Sequence, residues 1–116
     1  MNNRRRNHRH PLAPERTACA ELRFPQPNGE VLSLRLRDVS LGGISVVLAE
    51  TLPGLEVGDT IKGIDCVLEG RRVRGDLLVM HLTPGNDPGA VCGGLFYPAS
   101  DDDLLLLRGI VEELEA

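Results

Sequence analysis

Two short clusters hold the side chains with the greatest chemical reach. The first is Arg5-Arg6-Asn7-His8-Arg9, an Arg-x-x-x-Arg spacing with Arg4 and Arg6 crowded beside it. The second is Asp38-Val39-Ser40-Leu41-Gly42-Gly43, an Asp-x-Ser-x-x-Gly spacing at the end of a predicted strand. Guanidinium groups are planar forks that match phosphate oxygens and the O6/N7 edge of guanine. An arginine cluster in solvent ordinarily holds polyanions loosely, and Asp-x-Ser before two glycines ordinarily makes a turn whose side chains bond their own backbone. The charge distribution sharpens the first cluster. Residues 1–16 carry Arg4, Arg5, Arg6, Arg9 and Arg16 against Glu15, a net of +4, while the rest of the chain carries eight cations against sixteen anions, a net of −8. A protein coated for general nucleic-acid binding spreads basic charge over a whole face. Here the charge forms a local anion trap on an acidic body, and all the cations except Lys62 are arginines.

Other groups that could do chemistry are less promising. There is no G-x-S-x-G, Walker loop, G-x-G-x-x-G or H-E-x-x-H. His8 and His10 could offer two metal nitrogens, but no third ligand is evident and the flanking arginines repel a cation. His81 falls inside a predicted strand and reads as an ordinary histidine. Asp101, Asp102 and Asp103 fit the start of a helix, where carboxylates complement the dipole, without a metal. Cys19, Cys66 and Cys92 are odd in number and widely spaced, so we expect reduced, mostly buried thiols in a cytoplasmic protein. Neither a catalytic residue, a metal nor a cofactor is expected.

The elements that position the two clusters follow from length and periodicity. A chain of 116 residues, 41% hydrophobic and 26% charged, is the size of one domain. Its apolar runs, such as 44–49 and 104–107, fall far short of the ~18 residues of a spanning helix. The basic N-terminus leads into Pro11 and Pro14 rather than an apolar stretch, so export is not expected. Residues 1–16 lack hydrophobic periodicity and read as a flexible Arg-rich arm. From there, strands are predicted at Thr17–Phe24, Glu30–Val39, Ile44–Leu48, Thr60–Leu68, Arg72–Leu82 and Ala90–Tyr97. They are separated by turn signals at 25–29, Gly42-Gly43, Pro53-Gly54, Gly58-Asp59, Glu69-Gly70-Arg71 and 83–89. Six strands at hairpin spacing suggest a closed or nearly closed antiparallel barrel, since closure removes exposed edges. After Pro98 the period changes. Ser100 suits an N-cap, and Leu104, Leu107, Val111 and Leu114 recur at helical spacing over about 99–115. The four leucines 104–107 fit a helix packed on the barrel, and their excess over one stripe leaves a contact surface as the alternative.

In this order, within six strands and a terminal helix, the two clusters resemble the PilZ family of cyclic di-GMP receptors. The resemblance covers nearly the whole chain, including Gly93-Gly94-Leu95-Phe96, which is similar to the family's last strand. It implies an all-β fold with a terminal helix: a six-stranded antiparallel PilZ-type barrel over 17–116 behind a ligand-binding arm at 1–16, in a single-domain, stand-alone receptor. Residue by residue it implies that Arg5 and Arg9 are the motif arginines and that Asp38, Ser40 and Gly43 are the matched positions of the second motif. Arg4 and Arg6 are neighbouring additions to the site.

The chemistry agrees with that assignment. Cyclic di-GMP presents two phosphodiester charges and two guanine edges, which arginine forks can take bidentately. Asp38 can accept from the guanine N1 and N2 donors or orient an arginine, and Ser40 can offer its hydroxyl to a base or phosphate. Gly42 and Gly43 let backbone approach a flat ligand. Arg4 could bridge a second nucleotide stacked on the first. Ordering about eight arm residues costs ~8 to 16 kcal/mol, so micromolar binding near −8 kcal/mol needs several charged forks. We therefore expect the arm to fold onto the barrel with ligand and change the surface seen by a protein partner, with motility, pili, exopolysaccharide or virulence as output. The receptor should be a monomer or weak dimer, with no nucleic-acid polymer and no membrane insertion. Two alternatives stay open. One is a degenerate adaptor that binds only protein through its Leu-rich helix, which the intact Arg5, Arg9, Asp38, Ser40 and Gly43 argue against. The other is a small nucleic-acid-binding barrel, for which Phe24, Phe96 and Tyr97 supply no stacking platform.

Overall fold

Alternating apolar and polar residues give strands with one dry and one wet face, and a sheet of such strands buries its dry face by closing on itself. The structure, a computed structural model, describes residues 9–13, 17–48, 52–83 and 90–115. The elements are β1 His10–Pro11, β2 Ala18–Phe24, β3 Glu30–Val39, β4 Gly43–Leu48, β5 Thr60–Leu68, β6 Arg71–Leu82, β7 Ala90–Pro98 and α1 Asp101–Glu115. The neighbour order β3-β2-β5-β6-β7-β4 returns from β4 to β3, with every pairing antiparallel. This is the closed six-stranded barrel expected from the turn spacing, with one short extra strand. Leu36, Ile44, Ile64, Leu68, Val73, Leu77, Val79 and Cys92 fill its interior. The thiols of Cys66 and Cys92 are pushed up by burial to about 12 and about 11, which keeps them protonated and inert at neutral pH.

At the start of α1 the Ser100 hydroxyl accepts the Asp103 N–H at 3.1 Å and donates to the Asp103 carboxylate at 2.7 Å. That carboxylate also accepts the Arg74 N–H at 2.9 Å, which ties the cap to β6. Leu107, Ile110 and Val111 form the buried face of α1, which packs on β6, β7 and β1. Leu105 and Leu106 point to solvent. No helix among the described residues is long and apolar enough to cross a membrane.

The flexible arm expected over 1–16 is corrected at residues 10–12. β3 runs past the end of β2, which pairs with it only as far as Arg35. The groups thus left open on β3 are taken by β1, with His10 opposite Val39 and Pro11 opposite Asp38, and the Leu12 N–H then donates to the Arg37 carbonyl at 2.9 Å. Leu12, 5% exposed, is part of the core. Pairing and one buried leucine outweigh the local prolines and charge. Residues 1–8 and 14–16, and with them Arg4, Arg5, Arg6 and His8, lie outside the described residues.

The outer wall of β2, β5 and β6 carries an ion network. Arg74 grips Asp65 with two bonds of 2.9 and 3.1 Å, and Arg72 bridges Asp65 at 3.1 Å and Glu21 at 2.9 Å. The Arg74 hydrogen bonds, opposed by partial burial and helped by Arg72, hold the Asp65 carboxyl below its ordinary 3.8. A lowered folded value means that Asp65 adds stability at pH above 3.8 and gives it up as pH falls through the folded value. Asp65→Asn should therefore lower the melting temperature at pH 7, and the gap from wild type should close under acid titration below that range. A gap of constant size from pH 7 to pH 2.5 would exclude this linkage.

Candidate ligand-binding site

The site is built from strand register. Asp38 stands opposite Ser45 across β3 and β4, Ser45 opposite Gly93 across β4 and β7, and Gly93 opposite His81 across β7 and β6. These four residues form one row across the outer wall of the barrel, and Pro11 of β1 extends it beyond Asp38. Two register shifts shape the row. Between Leu36 and Asp38 the β3 strand spends an extra residue against β4, and between Val79 and His81 the β6 strand does the same against β7. Each bulge lets two successive side chains leave the core: Arg37 with Asp38 on one flank, Met80 with His81 on the other.

Arg9 completes the arrangement. Its guanidinium donates to the Asp38 carboxylate at 2.9 Å, joining the two sequence clusters. The Arg9 side chain is 45% exposed and that of Asp38 13%. Asp38 thus orients a half-exposed fork while Arg9 keeps donors facing solvent. Below them lies an open groove of about 200 Å³ lined by Arg9, Arg37, Asp38, Ser45, Met80 and His81, with Gly93 and Gly94 in its floor. A larger groove of about 490 Å³ lies on the β2, β5 and β6 wall, but its Asp65 and Arg74 already neutralise each other.

The turn from β3 to β4 locks the second cluster in place. The Ser40 N–H donates to the Gly43 carbonyl at 2.8 Å, the Gly43 N–H donates to Ser40 Oγ at 3.0 Å, and Ser40 Oγ donates to the Gly43 carbonyl at 3.2 Å. Ser40 is 2% exposed. Its hydroxyl serves the turn and does not line the groove, so of the two parts considered for it from sequence, the backbone-bonding one is what the geometry displays. The Gly42 carbonyl accepts from the Phe96 N–H at 3.0 Å, fixing the turn to β7. Gly43 must be bare: a Cβ there would overlap the Gly94 carbonyl oxygen and stand 3.3 Å from the Arg9 guanidinium.

Of the residues singled out from sequence, Arg9, Asp38, Ser40, Gly42 and Gly43 come together at one end of β3. Arg4, Arg5 and Arg6 lie outside the described residues. Arg37, Ser45, Met80, His81, Gly93 and Gly94 share the groove without having been singled out as ligand contacts.

The model of the PilZ domain matches residues 3–113, a span that takes in both clusters, the barrel and the helix. The chain belongs to the PilZ domain family. This PilZ domain is also similar to the flagellar brake protein YcgR of Methylibium petroleiphilum, with 38% identity over 65 residues, covering 55% of this chain and 28% of that protein. The match therefore spans a little over a quarter of that curated relative. Among solved structures, the K. pneumonia MrkH complex with c-di-GMP superposes at a TM-score of 0.78 and 22% identity, covering 92% of this PilZ domain and 49% of that chain. The PilZ domain of YcgR from Escherichia coli with c-di-GMP superposes at 0.73 and 19% identity, over 92% and 88% of the two chains. At those identities the superpositions establish a common fold.

Proposed function

We propose that this PilZ domain is a cyclic di-GMP receptor that passes the signal to a protein partner. The observation that carries the reading is the Arg9–Asp38 pair of 2.9 Å, which sets an oriented guanidinium over a groove at the mouth of the β3–β4 turn. Bound cyclic di-GMP in the MrkH and YcgR structures of like fold supports the choice of ligand. Arg9 and Arg5 supply charged forks to phosphate oxygens and guanine edges, Asp38 holds Arg9 in register, and the bare Gly43 lets the turn close against Gly94 beside the groove. Arg4 and Arg6 add neighbouring positive charge. Ser40 acts by shaping the turn. Nothing in this scheme makes or breaks a bond, so the protein works as a binding module.

Because residues 10–12 are already paired to β3, the rearrangement on binding starts at Arg9 and moves the segment before it across the groove. This alters the charge that a partner meets on the acidic body. A motility output fits the flagellar brake relative. Isothermal titration of the purified protein with cyclic di-GMP should give saturable binding in the micromolar range, with one ligand per chain or two if Arg4 bridges a stacked pair. No heat at tens of micromolar would dismiss the receptor reading, and salt-sensitive binding of generic oligonucleotides in its place would favour the nucleic-acid barrel.

A further inference from the structure

We infer that Ser45 is an additional ligand-binding residue of the groove, its hydroxyl held in reserve for an acceptor on the bound dinucleotide. This rests on the receptor reading above. Ser45 is 5% exposed, and its Oγ is buried with no hydrogen-bond partner among the described residues. It is not an interior residue: its neighbours Ile44 and Val46 fill the core, so alternation turns Ser45 to the outer wall. There it sits between Asp38 and Gly93 in the row beneath Arg9 and lines the same groove. Gly93 on the opposite strand is bare, and a Cβ there would stand 2.9 Å from the Ser45 Cβ, so the groove floor beside the hydroxyl is kept open by glycine.

Both serines are buried and both lie near the β3–β4 turn, yet Ser40 Oγ makes two bonds within the turn and Ser45 Oγ makes none among the described residues. A buried hydroxyl without a partner destabilises the protein that carries it, and a ligand that supplies the partner removes that penalty as it binds. Ser45 lines the same groove as the Arg9–Asp38 pair, so a ligand gripped by the Arg9 fork lies against the Ser45 end of it. The hydroxyl then donates to a phosphodiester oxygen or a purine acceptor, both of which the ligand presents.

The two sides of this scheme have opposite signs, which makes it testable. Ser45→Ala should raise the melting temperature of the ligand-free protein by a few degrees and weaken cyclic di-GMP binding about five- to tenfold, within the range of one net hydrogen bond. Thermal melts without ligand and isothermal titrations with cyclic di-GMP, on wild type and variant in parallel, read both effects. Wild-type binding with an unchanged Ser45→Ala affinity would overturn this assignment and leave the receptor reading intact. Weaker binding together with a lower ligand-free melting temperature would also overturn it, since the hydroxyl would then be holding the fold. Failure of the wild type to bind would overturn the receptor reading, and the assignment with it.

Discussion

Arg9→Ala is expected to weaken cyclic di-GMP binding at least ~100-fold while costing the ligand-free fold little. A hundredfold loss is about 2.7 kcal/mol, the scale of one charge-assisted fork at ~1.5 to 3 kcal/mol. Arg9 is the described residue through which the two clusters meet, 2.9 Å from Asp38. With its side chain 45% exposed, the same ion pair contributes to folding on the scale of a surface salt bridge, ~0 to 1 kcal/mol. Binding and stability should therefore separate. Arg9→Lys keeps the charge but not the fork and should still lose more than tenfold, because an ammonium cannot take two acceptors in one plane. Titration calorimetry beside thermal melts gives both numbers. An Arg9→Ala protein that binds within fivefold of wild type would show that the pair does not belong to the ligand site.

The second large effect is on the barrel itself. In β7 a Cβ on Gly94 would overlap the Leu78 carbonyl oxygen and stand 2.8 Å from the Met80 nitrogen, both backbone atoms of β6 beside its bulge. Backbone in a closed barrel cannot rotate aside as a side chain can. Gly94→Ala should cost ~3 kcal/mol, the upper part of the usual overpacking range. For a domain of this size that lowers the melting temperature by roughly 12 °C or more. Gly109→Ala is the matching control. Gly109 lies within α1 with nothing within 4 Å of an added Cβ, so alanine there should stabilise by ~0.5 to 1 kcal/mol through helix propensity. Differential scanning fluorimetry on the pair should show shifts of opposite sign. A Gly94→Ala protein melting within 3 °C of wild type would rule out so close an approach of β6 and β7.

The strands were legible where alternation is local. Thr60–Leu68 and Glu30–Val39 have the predicted ends, and Arg72–Leu82 differs by one residue because Glu69 and Gly70, both at positive φ, make a two-residue turn that leaves Arg71 in β6. The cap at Ser100 and the buried Leu107 and Val111 of α1 also follow from spacing. β1 was not legible, since two residues carry no period and its pairing depends on how far β3 outlasts β2. In the site, Asp38 and Gly43 could be singled out because they lie in one short motif. Ser45, Gly93 and His81 could not, because what unites them is register across three strands, and two bulges shift that register where strict alternation would have placed Asp38 and His81 differently. Ser40, in the same motif, has its hydroxyl bonded within the turn, an arrangement that Asp-x-Ser before two glycines foretells.

The docking of β1 has a mechanical side. Tension on the chain ahead of Arg9 reaches the Arg9–Asp38 contact first and the two rungs at Val39 and Asp38 next, before any of it loads the barrel wall. A pull from that direction would strip Arg9 from the rim of the groove while the hoop of six strands stayed whole, so the contact that orients the guanidinium also stands where such a tug would be felt first.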